Sequence, residues 1–110
     1  MNDAVIIAYA SPTFPRTPSD IRSLFLEVRI YRDQFGQQYH TRRVWLNGRP
    51  MWSTKLAYGI NYEADTREEL ANLFGVQWPQ IAPLYRDCAE LGIDYYMMTT
   101  EVSSKRKTEF

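Results

Sequence analysis

A chain of 110 residues has room for one hydrophobic core and not for two. At 45% hydrophobic, 15% aromatic and 24% charged residues it is globular in composition, which excludes a disordered chain. The net charge of zero hides a sorting by position: residues 16–55 set eight cations against three carboxylates, and residues 56–102 set eight carboxylates against two cations. Halves of net +5 and −6 form an electric dipole, an asymmetry that concerns partners more than fold.

The longest apolar run, Ala4–Ala10, is too short to cross a bilayer and follows Asn2-Asp3 rather than a basic segment. A cytoplasmic protein with no membrane span and no leader is therefore expected. The single cysteine, Cys88, agrees with a reducing compartment. Residues 4–9 read as a short strand. Prolines at 12, 15 and 18 make the next stretch a stiff connector, so residues 1–19 form an arm that docks on its own sheet, on another copy or on a partner. A homodimer exchanging this arm is one expectation.

Alternation then dominates. Leu24, Leu26, Val28 and Ile30 interleave with Phe25, Glu27, Arg29 and Tyr31, as in a half-buried strand. A turn at Asp33–Gly36 leads to a second strand over about 37–46, and Asn47-Gly48 supplies a type I′ hairpin turn into a third. If both turns close tightly, one face carries Leu24, Leu26, Val28, Ile30, Tyr39, Trp45, Trp52, Leu56, Tyr58, Ile60 and Tyr62. Arg43 is its misfit, expected to stack on Trp52 or reach the rim. The opposite face then carries Phe25-Val44-Met51, Glu27-Arg42-Ser53, Arg29-His40-Lys55 and Tyr31-Gln38-Ala57, cationic at its middle and apolar at one end.

Asp65-Thr66 is placed to cap a helix that Gly75 stops. A second helix carries Ile81, Leu84, Tyr85, Cys88 and Leu91 to Gly92, with a regular start delayed to Pro83. Residues 93–102 form a last strand, and 103–110 a basic mobile tail. The fold class is thus one α+β domain over 1–110: an antiparallel meander (about 23–62) packed on an αα hairpin (about 66–91) with a C-terminal strand (about 93–102). The segment 67–86, through Leu70-Ala71, Phe74-Gly75-Val76, Ile81 and Leu84, resembles the helix-turn-helix of bacterial regulators. That resemblance implies DNA readout by Gln77, Trp78, Gln80 and Arg86, although the segment lies in the acidic half and phosphate contact needs cations.

No catalytic constellation is visible. His40, the only histidine, falls between Arg29 and Lys55, which disfavour its protonation; Cys88 lies on an apolar helix stripe; Glu63, Asp65, Glu68 and Glu69 read as a solvated helix start rather than a magnesium site. One histidine and one cysteine on separate elements make no zinc site. No enzyme activity, cofactor or metal is expected. What remains is a protein-interaction module that binds another protein through Phe25, Arg29, Tyr31, His40, Arg42, Val44, Met51 and Lys55, an apolar anchor beside a steering charge. In size and style the chain resembles small phage-encoded proteins that bind and modulate a host macromolecular machine. The alternative is single-stranded nucleic acid on the same basic face.

Overall fold

The computed structural model describes residues 6–8 and 15–103. Its elements are β1 (Ile6–Ala8), β2 (Ser23–Arg32), β3 (Gln38–Leu46), β4 (Arg49–Thr54), β5 (Ala57–Tyr58), α1 (Tyr62–Phe74), α2 (Leu84–Leu91) and β6 (Asp94–Val102). The sheet runs β1-β4-β3-β2-β6, with β5 paired to β3 beyond the end of β4. β2, β3 and β4 form the expected antiparallel meander, and β6 joins it parallel to β2, so the sheet is mixed. Within the chain, β1 pairs antiparallel with β4, Ile6 opposite Thr54 and Ala8 opposite Trp52. Residues 11–14 of the proline connector and 104–110 of the tail lie outside the described residues.

The register differs from the tightly closed one, and two one-residue insertions explain how. The β2–β3 loop has an odd number of residues: Asp33 N–H donates to Gln37 O at 3.0 Å, so Gln34, Phe35 and Gly36 form the loop proper. Gly36 takes φ +78°, as the left-handed position of a three-residue hairpin requires. The Asp33 carboxylate accepts from the Phe35 and Gln37 amides, both at 2.9 Å, which locks that loop. Leu24 therefore faces Leu46, Leu26 faces Val44 and Ile30 faces His40. The whole of β3 turns over relative to expectation, because strand side chains alternate with period two.

The second insertion turns β4 back. Asn47 (φ +55°) and Gly48 (φ +77°) make the expected turn, and Leu46–Arg49 and Trp45–Pro50 pair as expected. Pro50 has no N–H for the ladder, and a bulge follows: Val44 faces Trp52, leaving Met51 over. Trp52 thus points inward as expected, while Tyr39, Arg43 and Trp45 point outward. Leu56, Tyr58 and Ile60, expected inside, are exposed, because the strand breaks at Lys55-Leu56 before β5.

Both helices cover the inward face. Leu24, Leu26, Val28, Ile30, Val44, Leu46, Met51 and Trp52 meet Leu70, Phe74, Trp78, Leu84, Cys88 and Ile93 in one core. α1 begins at Tyr62, earlier than the expected cap, because Thr66 is interior: its hydroxyl donates to Tyr62 O at 2.7 Å and accepts from Arg42 at 2.9 Å. Segment 67–86 does not form two closely spaced helices. After Gly75–Gln77, a 3-10 turn, the chain is non-helical until Leu84, with Pro83 capping α2. Trp78 is buried here, stacked on Phe74 with centroids 6.1 Å apart. Asp87, fully buried, holds the segment by accepting from Trp78 Nε1 at 3.2 Å and from the Ile81 and Ala82 amides at 3.0 and 3.2 Å, and it pairs with Arg67. Among the described residues no helix is long and apolar enough to cross a membrane.

Candidate functional site

The eight residues expected to form one binding surface are divided by the register. Phe25, Arg29 and Tyr31 are half-buried on the outward face of the sheet. His40, Arg42, Val44 and Met51 are buried beneath the helices, so no partner reaches them. Lys55 is exposed in the break between β4 and β5.

The buried arginine is the misfit that the sequence places at 43. Arg42 donates to both oxygens of Glu69, at 2.7 and 2.6 Å, and Trp52 Nε1 donates to Glu69 Oε1 at 3.0 Å. Basic strand meets acidic helix inside the protein, so the charge sorting along the chain is partly internal neutralisation. His40 lies two residues along the same face. Its Nδ1–H donates to Gly59 O at 2.8 Å, and its ring meets Tyr62 edge-on at 5.1 Å. Burial lowers its pKa below the ordinary 6.5, opposed by the Gly59 bond, with the Arg42 charge lowering it and Asp65 and Glu69 raising it.

A group whose folded pKa is depressed adds stability that is complete above its unfolded pKa and is lost as pH falls toward the folded one. Unfolding midpoints in urea are therefore expected to drop between pH 7.5 and 5.5, and His40→Gln is expected to remove most of that drop. An equal drop in both proteins assigns it to another group. Cys88 is likewise a core residue: burial, then the nearby Asp87 and Glu63 charges, push its thiol up to about 12, which suppresses the nucleophilic thiolate.

The outward face has a composition of its own. Four cross-strand rows build it: Tyr96-Phe25-Trp45-Pro50, Met98-Glu27-Arg43-Ser53, Thr100-Arg29-Thr41, and Val102-Tyr31-Tyr39-Tyr58. Among the described residues no helix lies across it. Aromatic rings mark both ends, Phe25 and Trp45 at 6.4 Å, Tyr31 and Tyr39 at 6.3 Å, Tyr39 and Tyr58 edge-on at 5.5 Å. Glu27 sits between the ends, accepts from Trp45 Nε1 at 3.2 Å and lies 3.8 Å from Arg29. Trp45, Tyr39, Arg43, Tyr58, Tyr96 and Met98 belong to this surface and escape the sequence reading. The signals for them were Pro50, which cannot sit in a regular inner ladder, and Asp33 with Gly36, which suit an odd loop. Comparison with known protein families, curated proteins and solved structures finds no match.

Proposed function

We propose that the protein is a non-catalytic interaction module that binds another protein on the open face of its sheet. The supporting observation is the content of that face: Phe25, Tyr31, Tyr39, Trp45, Tyr58 and Tyr96 with Met98, Arg29 and Arg43, and no lysine among its paired rows. Aromatic residues, methionine and arginine are the types enriched in protein interfaces, and lysine is depleted there. Single-stranded nucleic acid also stacks on aromatic sheets, but it requires a cationic track for its phosphates. Here the Glu27 carboxylate occupies the middle of the face and neutralises Arg29, which favours a protein.

Affinity capture from cell extract with the native chain and with an Arg43→Glu/Tyr58→Ala variant tests the face. Tyr58 is 68% exposed and Arg43 points outward, so the variant is expected to fold and to lose the partner. Recovery of the same partners by both proteins overturns the assignment. Fluorescence anisotropy with single- and double-stranded oligonucleotides at two salt concentrations tests the class. Binding no tighter than about 10⁻⁴ M is expected; micromolar binding that weakens steeply with salt makes nucleic acid the ligand.

A further inference from the structure

β6 ends the sheet with an open edge of nine residues, and among the described residues no strand pairs with it. Edge strands ordinarily avoid further pairing by shortness, proline, bulges or central charges. β6 has none of these: Asp94-Tyr-Tyr-Met-Met-Thr-Thr-Glu-Val102 pairs without a break along Ser23–Tyr31 of β2, and its two carboxylates stand near its ends. Its apolar side chains are exposed on both faces, Tyr96 (61%) and Met98 (48%) outward, Met97 (41%) on the helical side.

We propose that β6 pairs antiparallel with β6 of a second copy about a two-fold axis at Met98, joining two sheets into one. A two-fold axis perpendicular to the sheet brings outward face to outward face, so opposed residues must share parity. Centred on Met98, the full strand pairs: Asp94 opposite Val102, Tyr95 opposite Glu101, Tyr96 opposite Thr100, Met97 opposite Thr99. No like charges meet, and Glu101 already has Arg32 at 3.1 Å. The aromatic and β-branched pairs are of the kind that stabilise ladders. A register one residue away breaks the shared parity, and registers two residues away shorten the ladder, so parity and length select the pairing centred on Met98. The opposite edge is β1, three residues long, a weaker template. With β1 paired to β4, β6 is the longer edge left open, and pairing it makes the two open faces continuous at Tyr96 and Met98.

Sedimentation and light scattering of the full chain are expected to show a dimer. Met98→Cys is expected to form a disulfide-linked dimer under mild oxidation, since directly opposed Cα atoms lie about 4.5–5.5 Å apart. Thr100→Cys is not, because its two copies sit four residues apart along the ladder, roughly 13 Å. Met98→Lys and Met98→Glu are each expected to be folded monomers by circular dichroism, and mixing them is expected to restore a dimer. A native chain that stays monomeric at about 100 μM overturns the proposal. So does a dimer that Met98→Cys does not link and Met98→Lys does not dissociate.

Discussion

Replacing Glu69 with alanine is expected to destabilise the protein by about 4 kcal/mol, more than any surface ion pair could explain. The carboxylate is 3% exposed and answers three donors, two from Arg42 and one from Trp52. Its loss leaves a fully buried guanidinium without a counter-charge, and removing one member of a buried pair costs more than the pair itself contributes. Arg42→Met alone is expected to be similarly damaging, because it strands the carboxylate. Combining Arg42→Met with Glu69→Leu is expected to recover most of the loss, since an apolar pair of similar volume fits the same core. Urea unfolding of the native protein, Arg42→Met, Glu69→Leu and the double variant gives the coupling energy directly. A loss below about 1 kcal/mol for Glu69→Ala would show that Arg42 reaches water, and the buried network would not exist.

The α+β class, the meander, the helical pair and the last strand were legible because periodicity and stop signals are local. Asn47-Gly48 formed its turn, Gly75 and Gly92 ended their helices, and Pro83 delayed the second helix to Leu84. Register is less local. The self-consistency of the three inward rows supported a tightly closed Asp33–Gly36 loop, yet the odd loop and the bulge after Pro50 cancel each other at β4. Trp52 therefore faces inward, as alternation predicts, while all of β3 is reversed relative to it. Two compensating slips are invisible to an argument from face agreement alone.

The candidate site inherits that reversal. Of the residues placed outward by alternation, those on β2 keep their side because the slip occurs after them, and those on β3 exchange with their neighbours. Arg42 and Arg43 illustrate why composition could not decide: adjacent arginines differ only in parity, and the partner that makes one tolerable inside, Glu69, is on a helix 27 positions away. The charge sorting pointed to partners, and part of it was this internal pair.

The tryptophans provide the sharpest test of the register. Trp52→Ala is expected to cost about 3–5 kcal/mol, because the ring is 1% exposed, fills the centre of the core and leaves a cavity the helices cannot close. Trp52→Phe is expected to cost less, about 1–3 kcal/mol, since it retains most of the volume and gives up the bond to Glu69. Trp45→Ala is expected to stay below about 2 kcal/mol, because that ring is half-buried on the open face and touches Phe25 rather than the helices. The ordering matters more than any single value. If the two alanine variants lose equal stability, both rings face the helices, the β2–β3 loop is closed tightly, and the open face with its proposed partner site must be redrawn around Val44 and Arg42.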